Sequence, residues 1–202
     1  MRQATVDELF DRRVSPAEDL AAHAEDVARA CHAMAVRFHQ GGKLVVFGNG
    51  QPSTDAQHVA VEFVHPVIVG KRSLPAISLT SDVATLTGVA NTEGFDRVFA
   101  YQLSHLATPD DIALGLSSDG NCANVIAGLR RAREMGMLTI ALTGHDGGAI
   151  RSGNEADHVL VARSTDPRVV KEVQVTTYHV LWELVHVFFD HPGALSPQVV
   201  RP

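Results

Sequence analysis

The chain has 202 residues, 45% of them hydrophobic and 20% charged, with a formal net charge of -6. That length suits one domain with a sizeable core, and the acidic balance argues against a nucleic-acid binder that works through a basic surface, because such proteins gain affinity by neutralising phosphates. The charged N-terminus MRQATVDELFDRRV lacks the apolar core expected of a signal peptide, no run of about 18 apolar residues predicts a membrane span, and two distant cysteines, Cys31 and Cys122, argue against a disulfide framework or a thiolate metal site. The expected location is the cytoplasm.

Residues 16–40 are predicted as one long amphipathic helix, with Leu20, Val27, Cys31, Met34 and Phe38 at helical spacing and Gly41-Gly42 as its stop. KLVVF (43–47) reads as a short buried strand, GNGQPSTD (48–55) as a loop, and AQHVAVEFV (56–64) as a helix capped by Ser53 or Thr54. PAISL (75–79) is a strand, TSD (80–82) a polar turn, and 83–106 one or two helical pieces broken near 91–94. DIALGL (111–116) is a strand followed by a helix over 121–136, and LTIALTG (138–144) and HVLVA (158–162) are the last two strands. Residues 168–189 form a final helix with a buried stripe of Val170, Val173, Thr177, Val180, Leu184 and Val187; the tail 193–202 is expected to be loose.

Strands therefore alternate with helices, and the strands are short, apolar and unpatterned. This predicts an α/β fold, a three-layer α/β/α sandwich with a five-stranded parallel sheet buried on both faces and an extra N-terminal helix. A single domain spans 1–192. Ligands in such folds sit at the carboxyl ends of the strands. Here those ends are GNGQPSTD, LTSD, LSSDGN and LTGHDGG, all rich in Gly, Ser, Thr, Asn and Asp. That suits a polar small-molecule site, and equally suits the capping needs of strand-to-helix turns.

Two constellations carry chemistry. His58 and Glu62 are spaced i, i+4 on one helix face amid Val59, Ala60, Val61, Phe63 and Val64. Such a pair can bind a divalent metal, and a carboxylate in an apolar pocket can act as a general base; the plainer alternative is a surface ion pair. On the last helix Lys171, Gln174, Tyr178 and His179 lie off the apolar stripe.

The series GNG…DAQH…E, PAISLTSD…LT…AN…GF, GN…NV, TGHDGG and EV…H, over roughly residues 20–190, resembles the phosphoheptose isomerase family of the sugar-isomerase (SIS) fold. The resemblance implies a homotetramer with active sites between subunits. It implies aldose–ketose isomerisation of sedoheptulose 7-phosphate by proton transfer through an enediol, with zinc as a candidate cofactor. By resemblance, His58, Glu62 and His179 are metal ligands, and Glu62 and His179 are the acid/base pair. Asn49, Asp82, Asn91, Ser117, Ser118, Asp119, Asn121 and Lys171 are expected around the sugar.

The chain departs from the family pattern at one place above all. GNGQP stands for GNGGS, so Pro52 replaces a hydroxyl; SSDGNC stands for STSGNS, so Asp119 and Cys122 replace two more; Asn91-Thr92 stands for Asn-Asp; and Lys171 stands for a Gln metal ligand. These changes predict a degraded phosphate site. Lys171 would either replace lost phosphate donors or pair with Asp119. The alternatives to a working isomerase are a metal-dependent binder or enzyme for an unphosphorylated ligand, and a non-catalytic scaffold for a protein partner.

Overall fold

Five apolar runs become the strands β1 (Leu44–Gly48), β2 (Ala76–Ser78), β3 (Ile112–Leu116), β4 (Leu138–Gly144) and β5 (His158–Ala162) in a computed structural model that describes residues 3–195. All pair in parallel, in the order β2-β1-β3-β4-β5. The helices are α1 (Gln3–Ala22), α2 (Ala24–His39), α3 (Gln51–Val64), α4 (Val83–Thr92), α5 (Val98–Leu106), α6 (Ala123–Glu134), α7 (Gly148–Ser152) and α8 (Pro167–Asp190).

The strands lack a polar face because helices cover both sides of the sheet. Leu44, Val46, Ile112, Leu114, Ile140 and Leu142 pack into a core with α2, α3 and α8. Their alternating neighbours Val45, Phe47, Ala113 and Ala141 pack into a second core with α5 and α6. Two glycines allow α6 to lie close on the sheet: a Cβ on Gly115 would stand 3.1 Å from Val125, and one on Gly128 would stand 2.8 Å from Phe47.

The observed bounds of β4 and β5 coincide with those predicted. Four helical features differ. The single helix over 16–40 is two helices that start at Gln3 and break at His23, whose φ of -101° and ψ of 22° leave the helix. No Gly or Pro marks that break. Arg12 and Arg13 tie α1 to the start of α8 through Asp166 (3.1 Å) and Glu172 (2.7 Å). Next, α3 begins at Gln51 rather than Ala56, because Pro52 lies in the first turn, where a missing N–H costs little. The Ser53 and Thr54 hydroxyls do not cap it; they donate to the carbonyls of Gly50 (2.6 Å) and Gln51 (2.7 Å). Third, the short α7 follows the TGHDGG turn. Finally, the buried face of α8 is rotated from the predicted stripe: Gln174, Tyr178, Trp182 and His186 are buried, while Val187 is 47% exposed. Paired polar groups between α8 and its neighbours bury that face, which hydrophobicity alone does not mark. Of the predicted loose tail, Ala194 is tied by its carbonyl to His32 Nε2 (2.8 Å) and Leu195 is buried; 196–202 lie outside the described residues.

Candidate active site

The order β2-β1-β3 makes the strand sequence reverse between β1 and β3, where open parallel sheets hold their ligands. The turns after these two strands are stapled together. Asn49 Nδ2 donates to Asn124 Oδ1 (2.6 Å), and Asn124 Nδ2 donates back to Asn49 Oδ1 (3.0 Å). The Asn49 side chain thus fixes the crevice floor.

Beside this crevice α3 packs on α8 and brings together the three residues expected to carry the chemistry. His58 Nε2 lies 3.3 Å from Glu62 Oε1 and 3.4 Å from His179 Nε2. All three ligand atoms lie within 4.8 Å of one another. Glu62 is held by the spacing of α3 and by Trp182, whose indole N–H donates to the Glu62 carbonyl (3.0 Å). Its side chain is only 12% exposed, whereas that of His58 is 47% exposed and opens the cluster to solvent. A tetrahedral zinc with bonds of about 2.0–2.1 Å keeps neighbouring ligand atoms about 3.3–3.4 Å apart. Two of the three edges have that length, and two imidazoles with one carboxylate are a zinc donor set that leaves a position open. The residues present fit the metal.

One to two turns nearer the crevice lies an ion pair that sequence reasoning missed. Lys171 Nζ donates to Asp55 Oδ1. The Asp55 side chain is 5% exposed, and its Oδ2 is buried without a hydrogen-bond partner in the usual geometry. Tyr178 is buried beside it, its ring 5.7 Å from that of His58. Burial pushes the Tyr178 hydroxyl well above its usual pKa, helped by the negative charges of Asp55 and Glu62 and a bond to Asp55. This phenol therefore stays protonated and acts as a donor. Lys171 neither pairs with Asp119 nor stands free: Asp55 holds it. Helical spacing offered one signal for Asp55, which precedes His58 by three residues and Glu62 by seven and so shares their face. Its partner, 116 residues away, left none.

The 117–122 turn satisfies its own polar groups. Ser117 Oγ accepts the Gly120 N–H (2.9 Å), and Asp119 Oδ1 accepts the Asn121 N–H (2.9 Å). Asn121 donates to the Asp119 carbonyl (3.1 Å) and accepts from the Ala149 N–H (3.0 Å). Gln174 Nε2 donates to the Ser117 carbonyl (2.9 Å). The TGHDGG turn packs against it so closely that a Cβ on Gly120, at φ +76°, would collide with the Gly147 carbonyl. Among the residues expected to bind ligand here, Ser118 alone is exposed without a side-chain partner among the described residues.

Asp82 and Asn91 are not joined to the cluster by any side-chain bond. Asp82 caps α4, accepting from the backbone of Ala84 (3.0 Å) and Thr85 (3.1 Å) and from the Thr85 hydroxyl (2.6 Å). The Thr85 hydroxyl, then these backbone donors, hold its carboxyl below the usual range. Asn91 lies exposed on the last turn of α4.

Residues 13–144 match the family model of the SIS domain, which agrees with the parallel sheet and its flanking helices. The phosphoheptose isomerase of Solidesulfovibrio magneticus is 42% identical over 176 residues, covering 87% of this chain and 85% of that one. That of Pelobacter propionicus is 45% identical over 148 residues, covering 73% and 77%. Among solved structures, the phosphoheptose isomerase of Francisella tularensis superposes with a TM-score of 0.85 at 30% identity, covering 93% of this chain and 100% of that one. The Neisseria gonorrhoeae enzyme gives 0.82 at 30% identity, covering 91% and 97%. The chain belongs to the phosphoheptose isomerase family of SIS-domain proteins.

Proposed function

We propose that this protein is an aldose–ketose isomerase acting on a sugar at His58, Glu62 and His179. The observation that carries the proposal is the convergence of these three side chains, from two helices, within 4.8 Å at the crevice. Glu62 Oε1 faces His58, and its second oxygen takes the proton from the carbon next to the sugar carbonyl. The resulting enediol collapses when the same carboxyl returns the proton to the neighbouring carbon. Between the two transfers the proton held by Glu62 exchanges with solvent on the side that His58 leaves open. His58, His179 and Glu62 would hold zinc, which when bound polarises the carbonyl as a Lewis acid. Without metal, His179 Nε2 is free to move a proton between the two substrate oxygens.

The names of the relatives point to a phosphorylated heptose, sedoheptulose 7-phosphate by resemblance. The changes in the 117–122 turn point to weak turnover of that substrate. A homotetramer is part of the same proposal, since His58 opens outward from a single chain. The test is isomerisation of sedoheptulose and sedoheptulose 7-phosphate by the zinc-supplemented protein. Conversion of at least one, lost in Glu62→Gln, is expected; no conversion of either overturns the proposal.

A further inference from the structure

Burying a phenol, a carboxylate and an ammonium costs desolvation, and apolar residues of similar volume often give the same stability or more. Lys171, Asp55 and Tyr178 form such a group between α3 and α8. Lys171 Nζ donates to Asp55 Oδ1, and the Tyr178 hydroxyl bonds the same carboxylate. Asp55 and Tyr178 are both buried. A pairing that stability alone does not require leaves direction as its contribution.

What it directs is the Tyr178 ring. Its centroid lies 5.7 Å from that of His58, tilted by 49°, and 4.8 Å from that of His179, edge-on at 74°. The two imidazoles lie 5.6 Å apart at 69°. The three rings thus form a triangle, and across its imidazole side the two Nε2 atoms stand 3.4 Å apart. A metal-ligating histidine usually donates its other ring N–H to a carboxylate or a carbonyl, which fixes the ring. The Nδ1 atoms of His58 and His179 have no such partner among the described residues. Packing on Tyr178 is what the chain offers in its place, and it fixes the imidazoles only if the phenol is itself fixed. A buried hydroxyl bonded to an ion pair does that.

We propose that Tyr178 and Asp55 are positioning residues for the metal cluster: the Asp55 carboxylate, held by Lys171, anchors the Tyr178 ring, and the ring sets the angle and separation of His58 and His179. The proposal rests on the reading of those histidines and Glu62 as zinc ligands.

The test uses the full chain. Zinc affinity is read by competition with a chromogenic chelator. Ligand geometry is read by the visible absorption of the cobalt(II)-loaded protein, which a role in folding alone would not move. Tyr178→Phe keeps the ring and removes its anchor. It should bind zinc about tenfold more weakly, the low end of the cost of losing a ligand's outer partner, with a changed cobalt spectrum and unchanged circular dichroism. Tyr178→Leu, which removes the ring, should lose about 100-fold. The double variant Asp55→Leu with Lys171→Met, which replaces the ions by apolar groups, should match Tyr178→Phe. Adding Tyr178→Phe to it should cost nothing further, because all three changes cut one path. Zinc affinity and cobalt spectrum unchanged in Tyr178→Phe, or losses that add up in the triple variant, overturn the proposal. A wild type that binds neither metal overturns the zinc reading and this proposal with it. A wild type that binds both, with Tyr178→Phe its equal, overturns the positioning role alone.

Discussion

The α3–α8 face and the 117–122 turn border the same crevice, yet they treat their polar groups in opposite ways. On the helix face, His58, Glu62 and His179 direct their functional atoms at one another across 3.3–3.4 Å contacts and at no backbone group. In the turn, Ser117, Asp119 and Asn121 close a set of internal bonds to the backbone. A side chain that completes the backbone's hydrogen bonding builds the fold, and removing it disturbs the turn. Side chains that converge without backbone partners have no such task, and the proposed isomerase reaction gives them one. The Lys171–Asp55 pair lies between these cases: each neutralises the other, but one Asp55 oxygen is buried without a hydrogen bond of the usual geometry.

This contrast can be broken at each region. The largest effect is expected at Glu62. Glu62→Gln keeps the shape and removes the base, so kcat should fall by about 10²–10⁴-fold, the usual share of a general base, while the circular dichroism spectrum stays unchanged. A smaller effect is expected at the metal. His58→Ala should weaken zinc by about 100-fold or more, since losing even an outer partner of a ligand costs about 10–100-fold; competition against a chromogenic chelator measures it. Lys171→Met strands the buried Asp55 carboxylate and should cost about 3 kcal/mol in urea unfolding. Adding Asp55→Leu should recover most of that loss.

The smallest effect concerns acid stability, away from the crevice. Asp111 is buried, which pushes its carboxyl up, but the Lys43 ammonium and the backbone N–H groups of Lys43 and Thr108 outweigh this and hold it below the usual range. A carboxyl lowered on folding stabilises fully above its unfolded pKa of about 3.9, and that share is lost as pH falls from there through the folded value. The stability advantage of wild type over Asp111→Asn should therefore be constant near neutral pH and shrink below about pH 4, as urea titrations at several pH values would show.

Much of the fold was legible because the strands are apolar on both faces and end in Gly or Ser-rich turns, as LTIALTG does. The break at His23 was not, since neither Gly nor Pro marks it and the charged α1 shows no apolar stripe. The His58–Glu62–His179 cluster was legible in part: the i, i+4 spacing joined His58 to Glu62, and only the resemblance joined His179 to them. Lys171 was expected at the crevice, but its partner was not, because Asp55 and Lys171 meet only through the packing of α3 on α8. The role of Asp119 was half legible. Its charge stood out in the sequence, while the bonds that turn it inward to Asn121 depend on the fold of the turn.

The most direct test follows solvent deuterium by NMR while the wild type and Glu62→Gln are incubated with sedoheptulose and its 7-phosphate in heavy water. Deuterium should appear at the carbon next to the carbonyl of at least one sugar with wild type and not with Glu62→Gln. Equal incorporation by both proteins, or none by wild type with zinc present, would contradict Glu62 as the base at the centre of this site.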